Sequence, residues 1–257
     1  VSAERRLRLA DFEGLPPLAE RHYRPMDLFA PVPPVDWVVD NVVVGSEATL
    51  LAAPGGAGKS YFALALSLAV AGGQYFLDNA VRQGRVTYVD EEGSPALALQ
   101  RLQQLGATVE QRQNLDYLNF VGVDMARKPD DLIEDVMRND SVLVVLDSYS
   151  KVARGAEENS NDAMTTIWNE GILRLARMSG AAVLVIHHTN ARGGIRGATS
   201  IVNSADQVLS MVKQEDRSKV IYPSKPRRRT HRIHFKFQRS TFGGIELVPV
   251  YDYPTWE

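Results

Sequence analysis

The stretch Glu47-Ala48-Thr49-Leu50-Leu51-Ala52-Ala53-Pro54-Gly55-Gly56-Ala57-Gly58-Lys59-Ser60 decides the fold. Glu47 to Ala52 reads as a buried strand, Ala53 to Ser60 as a glycine-rich loop, and Lys59 to Val70 as an Ala/Leu-rich helix closed by Gly72-Gly73. Strand, loop and helix in that order are the setting a phosphate-binding loop requires. Glycines let backbone N–H groups point inward at a polyphosphate. Pro54, Gly55, Gly56, Ala57 and Gly58 form that cradle, and Lys59, Ser60 and Tyr61 begin the helix beneath it. Lys59 would reach the β- and γ-phosphates of a nucleoside triphosphate, and Ser60 would place its hydroxyl on Mg²⁺. Ala53 replaces the first glycine of the usual G-x-x-x-x-G-K-S/T pattern, at a turn entry that tolerates the change. The competing reading is a glycine-rich turn that binds nothing.

Outward from this loop the chain alternates between strands and helices. Strands are expected at Arg85–Asp90, Tyr117–Val121, Ser141–Leu146 and Ala181–Ile186. Helices are expected at Ser94–Leu105, Pro129–Met137 and Asp162–Met178, the last with Ile167, Leu173, Leu175 and Ala176 inward. Continuous apolar strands between helices predict an α/β domain with a mostly parallel sheet covered on both faces. After Asp206 the pattern is β only: Asp206–Val212, Val220–Tyr222, Arg232–Gln238 and Ile245–Tyr251, extending the sheet through antiparallel hairpins with a turn at Gly243-Gly244. Residues 1–36, with Arg5, Arg6, Arg8 and the run Pro31-Val32-Pro33-Pro34, read as an extended arm. It would pack on a neighbouring subunit or be a disordered leader. Residues 37–257 then form a single catalytic domain.

With 257 residues the chain is long enough for one large α/β domain. It has no cysteine, which excludes a disulfide framework and a Cys-based zinc site and fits a cytoplasmic setting. The longest strongly apolar stretch, Tyr61 to Gly72, is too short to span a bilayer. Nine of the 29 basic residues and none of the 31 acidic ones lie between Arg217 and Arg239, so the rest of the chain carries −11. A basic block on an acidic body points to an anionic partner, either nucleic acid or a neighbour's nucleotide; a solvated hairpin is the bland alternative.

Asp147 ends the apolar run Val142-Leu143-Val144-Val145-Leu146, where α/β sheets bind ligands. It is the expected second metal residue, acting through water, although an Asp after a strand is often only a helix cap. Ser148 follows it, so a hydrolytic base must come from elsewhere. Asp90-Glu91-Glu92 closes a strand expected beside the loop strand. Glu92 is the candidate for polarising water, Glu91 stands second, and Asp90 would assist at the metal. The alternative is that these acids simply begin the helix after Ser94. His187 and His188 point to opposite faces of their strand, which argues against a metal pair; His188 is the expected γ-phosphate sensor and His187 a structural residue. The basic loop Ala191 to Ser200 would grip a strand backbone or be a plain surface loop. No cation in cis besides Lys59 is evident for the transition state, so Arg239 or Lys236, supplied by a neighbour, is expected there; both would equally suit nucleic acid.

This order of motifs resembles the RecA-type ATPases over about residues 35–250. Within them it looks most like the RepA-type hexameric replicative helicases of plasmids and phages. The most specific pieces are the loop at 53–60 with its Ala-rich helix, Glu92, and Val185-Ile186-His187-His188. The resemblance implies a RecA-like core, ATP and Mg²⁺ at the interfaces of a homo-hexameric ring, and 5′→3′ movement on single-stranded DNA. It implies Lys59 and Ser60 on phosphate and metal, Asp147 as metal partner, Glu92 as catalytic carboxylate, His188 as sensor, and Lys236 and Arg239 in the arginine-finger region. Gly93 stands where many relatives carry an acid. AAA+ enzymes usually carry Glu directly after the metal-binding Asp, where this chain has Ser148.

Overall fold

The structure, a computed structural model, describes residues 34–154, 161–189, 199–225, 228, 230–241 and 243–251. The expected arm lies outside these residues except for 34–36. There Asp36 is tied to the body: its carbonyl accepts from Gly45 N at 2.8 Å and its carboxylate pairs with Arg82 at 2.5 Å.

The chain opens on a small antiparallel pair, β1 (Trp37–Val39) and β2 (Val43–Val44), absent from the sequence expectations. Among the described residues the other strands form one sheet of nine. They are β3 (Ala48–Ala53), β4 (Arg85–Asp90), β5 (Leu115–Asn119), β6 (Ser141–Asp147), β7 (Ala182–His188), β8 (Gln207–Lys213), β9 (Lys219–Lys225), β10 (Ile233–Arg239) and β11 (Ile245–Pro249). Their spatial order is β11-β10-β9-β8-β3-β7-β6-β4-β5. The pairs from β8 through β3 to β5 are parallel, and β8 to β11 pair antiparallel, as expected.

One topological expectation is corrected. β4 does not lie beside the loop strand β3; β7 and β6 stand between them. The crossover through α1 (Lys59–Gly72) passes over two positions that later strands fill. Asp90 therefore lines up with Asp147 of β6 rather than with β3.

α1 covers one face of the sheet. Phe62 and Leu66 are fully buried there, with Phe62 tilted against Phe235 of β10 at 5.5 Å. α4 (Pro129–Arg138), α5 (Tyr149–Val152) and the 161–179 helix cover the other face around Ile133, Tyr149 and Trp168. Burying each such side chain contributes roughly 1.5–3 kcal/mol. Two short helices went unforeseen besides α5: α3 (Val109–Gln113) and α8 (Thr199–Ser204).

The expected helix 162–178 is present but not uniform. α6 (Asn161–Thr166) widens into a π-helical stretch at Ile167–Leu173 before α7 (Arg174–Ser179). Gly171 sits in that stretch, and a Cβ there would lie 2.7 Å from the Met125 carbonyl oxygen. Beside it Trp168 is wholly buried against Tyr149.

Part of the basic block serves the fold. Lys225 Nζ donates to the carbonyls of Val202, Asn203 and Ala205 at 2.8, 2.5 and 2.9 Å, closing the end of α8. Arg228 grips Glu47 with both terminal nitrogens, one at 2.5 Å. At the outer edge the β10–β11 turn closes through Ser240 N on Gly244 O at 3.0 Å, and Gly243 takes φ 81°. Gly244 packs so tightly that a Cβ would lie 2.5 Å from Gln104 O, at the end of α2 (Pro95–Gln104).

Candidate functional site

The loop after β3 adopts the expected cradle. Gly56 and Gly58 take φ of 71° and 96°, conformations that disfavour any side chain. Space around Gly58 is restricted as well, since a Cβ would meet the Phe237 ring of β10 at 2.7 Å. Lys59 folds back on the loop, its Nζ donating to Ala53 O at 2.8 Å and Pro54 O at 2.9 Å. Burial lowers its pKa, partly opposed by Asp147 and Glu92.

A cleft of about 470 Å³ opens over this loop, lined by Lys59, Ser60, Asp147, Glu92 and His188 among others. It brings together the loop after β3 with residues of β4, β6 and β7 at the C-terminal ends of parallel strands, where such sheets bind ligands. Asp147 is buried at the floor. It is hydrogen-bonded to Ser60 and receives the Tyr88 hydroxyl on Oδ2 at 2.9 Å. Burial pushes its carboxyl up, and the Ser60 and Tyr88 hydrogen bonds oppose that. A hydroxyl and a carboxylate already in contact beside a buried lysine suit an octahedral, largely hydrated Mg²⁺ held with a triphosphate. The residues present therefore fit both groups. When bound, the metal would neutralise phosphate charge.

The three consecutive acids divide their work. Glu92 projects into the cleft, with Oε2 3.7 Å from His188 Nε2. Glu91 turns away: its fully buried carboxylate accepts from Gly122 N at 2.8 Å and Val123 N at 3.0 Å, and pairs with Arg154. It is a structural tie and leaves the site. Asp90 receives Glu92 N at 2.9 Å and Gly93 N at 2.6 Å on Oδ1, and the Tyr117 hydroxyl at 2.6 Å on Oδ2. Three of its roughly four acceptor sites thus shape the turn, although Asp90 also lines the cleft. Ser94 still caps α2, accepting from Leu97 N at 3.2 Å.

The histidines separate as strand geometry requires. His187 is buried edge-on to Tyr149, centroids 5.6 Å apart. His188 faces the cleft, with Nδ1 3.2 Å from Lys59 Nζ. A charged ammonium has only protons to offer, so Nδ1 accepts and the ring proton sits on Nε2, towards Glu92. Thr189 N donates to Ala53 O at 3.0 Å, tying the end of β7 to the entry of the phosphate loop.

Two residues of α2 were missed. Leu97 and Arg101 line the cleft, and Arg101 Cζ lies 5.6 Å from the centre of the Tyr61 ring. Tyr61 itself also lines the cleft; its hydroxyl donates to Gln104. Leu97, Arg101 and Gln104 recur at helical spacing, but an Arg on a half-exposed helix gives no signal without knowing what faces it. Arg101 corrects the expectation that Lys59 is the lone cation in cis.

Lys236 and Arg239 lie on β10 and are exposed. Separated by three positions, they leave opposite faces of the strand, and neither lines this cleft. A larger concavity, about 680 Å³, lies on β8–β10 around Tyr222, Arg232 and His234 and holds none of the expected site residues. The basic loop expected at 191–200 lies outside the described residues up to residue 198.

Sheet order, phosphate loop and cleft define a P-loop nucleoside triphosphatase of the α/β class. A family model described as an AAA domain (AAA_25) matches residues 16–194, more than half of the chain. The chain belongs to this family of P-loop ATPases, which is related to the RecA-like helicases. Among the described residues no helix is long and apolar enough to cross a membrane.

Proposed function

We propose that this ATPase is a ring-forming motor acting on single-stranded DNA, a helicase of the replicative type. The observation that carries the reading is the place of His188. One imidazole touches the phosphate-loop lysine and faces Glu92. From there the chain runs directly into the basic segment Ala191-Arg192-Gly193-Gly194-Ile195-Arg196. A residue that senses phosphate and pulls on a basic loop suits a strand-gripping motor.

In the hydrolytic step Lys59 would hold the terminal phosphates, Ser60 and Asp147 would hold the Mg²⁺ shell, and Glu92 would polarise the attacking water. His188 registers loss of the γ-phosphate through Lys59 and Glu92. Arg239 or Lys236, exposed on the outer strands, completes the site of a neighbouring subunit, which makes a closed ring, a hexamer by resemblance, the functional form.

The test is ATP hydrolysis with and without single-stranded DNA at low salt, joined to strand displacement and particle shape. Stimulation, unwinding and six-fold rings are expected. A second reading, an ATP-dependent switch or assembly factor without unwinding, is favoured by the commitment of Lys225 and Arg228 to the fold, which reduces the basic block available to a strand. It predicts ATP-dependent oligomers, slow turnover and no displaced strand.

A further inference from the structure

Of the carboxylates assigned above to metal and water, Asp147 ends β6 and Glu92 stands in the turn after β4. The side chains that link them are two tyrosines outside the cleft lining. Tyr88 of β4 and Tyr117 of β5 are register partners, with rings stacked at 5.1 Å and 6°. The Tyr88 hydroxyl donates to Asp147 Oδ2 at 2.9 Å, and the Tyr117 hydroxyl to Asp90 Oδ2 at 2.6 Å. Asp90 in turn receives the backbone N–H groups of Glu92 and Gly93 at 2.9 and 2.6 Å. A continuous path thus joins Asp147, the stacked rings, Asp90 and the turn that bears Glu92.

Packing alone asks for none of these hydroxyls. Two phenylalanines would stack equally well, and a buried hydroxyl costs free energy unless it is bonded. Both hydroxyls end on carboxylates of the site. Burial and the neighbouring carboxylates push both phenols up, so each remains a donor.

We propose that Tyr88 and Tyr117 are positioning residues that set the metal carboxylate and the water-polarising carboxylate at a fixed separation. Tyr88 orients Asp147 and acts on metal binding. Tyr117 holds Asp90, and through it the Glu92 turn, and acts on turnover. This rests on the assignment of Asp147 to Mg²⁺ and Glu92 to water.

The test uses the full chain with Tyr88→Phe and Tyr117→Phe. Affinity for a fluorescent ATP analogue is measured in Mg²⁺ and in EDTA, beside steady-state hydrolysis and thermal melting. Tyr88→Phe is expected to cut the Mg²⁺-dependent gain in affinity about tenfold and to leave the EDTA affinity unchanged. Tyr117→Phe is expected to keep both affinities and lower kcat about tenfold at unchanged KM. Wild-type values in both variants overturn the proposal. So does an equal loss of affinity with and without Mg²⁺, which marks a general disturbance of the fold. If Tyr117→Phe melts early, Asp90→Asn reads the same route: a kcat loss is expected, and wild-type kcat overturns it. A wild-type chain whose nucleotide affinity ignores Mg²⁺ instead defeats the underlying assignment of Asp147.

Discussion

Lys59 Nζ and His188 Nδ1 lie 3.2 Å apart, and the other ring nitrogen of His188 faces Glu92 at 3.7 Å. In the proposed mechanism a γ-phosphate would compete with the carbonyls of Ala53 and Pro54 for Lys59 and so alter its contact with His188. One imidazole thus spans the phosphate-loop lysine and the cleft carboxylate to which the proposed mechanism assigns the attacking water.

Glu92→Gln should lower kcat by roughly 10²–10⁴ while keeping nucleotide affinity, because it removes the base but not the phosphate contacts. His188→Ala should retain slow hydrolysis and lose its stimulation by single-stranded DNA. Steady-state ATPase assays with and without DNA separate the two. Normal turnover by Glu92→Gln would reject the assignment of the base.

A shared site can be tested by mixing. Lys59→Ala and Arg239→Ala should each be inactive as pure oligomers. Mixed and reassembled, some interfaces pair an intact phosphate loop with an intact Arg239, and hydrolysis should return in part. Mixtures as inactive as either parent would remove Arg239 from the neighbour's site, and the same experiment with Lys236→Ala decides between the two cations.

Burial opposes the charged forms of Lys59 and Asp147 in the folded protein. Lys59 is depressed from 10.5 by burial, so its contribution to stability is present above that pH and is lost as pH falls through its folded value. Asp147 is raised from 3.8 by burial, so its contribution is present below that pH and is lost as pH rises through its folded value. Replacing either group by a neutral side chain removes that opposition. Lys59→Met and Asp147→Asn should melt higher than wild type by roughly 2–4 °C without nucleotide, and calorimetry at pH 7 checks it.

Gly58→Ala should fail on two counts, the left-handed φ and the Phe237 ring 2.7 Å from any Cβ. A loss of about 1–3 kcal/mol is expected, with nucleotide binding lost as well. Adding Phe237→Ala relieves only the contact. Denaturant melts of the two single variants and the double one should show Gly58→Ala costing less in the Phe237→Ala background than alone.

The parallel core was legible because β3, β6 and β7 are continuous apolar runs and the phosphate loop demands a strand before it and a helix after it. Strand order was not, because nothing local to Arg85–Asp90 tells it to pair with β5 and β6 rather than with β3. Of the site, Lys59, Ser60, Asp147, Glu92 and His188 were readable from strand-end positions, and their convergence comes from sharing one end of the sheet. Glu91 and Asp90 were not separable from Glu92 by residue type; a carboxylate's role depends on which donors surround it, and those come from residues 117–123 and 154. Arg101 escaped because its importance comes from the fold of α2 over the loop. The π-helical stretch was hidden because Gly171 and Trp168 suit an ordinary amphipathic helix.

Gly244, on the outermost hairpin, presses on the backbone of Gln104, whose side chain receives the Tyr61 hydroxyl at the head of α1. The rim of the sheet and the mouth of the cleft thus share one abutment. A neighbour pushing on that hairpin delivers its load to α2 and to the first turn of α1, and a methyl group at position 244 would mimic the push without any neighbour.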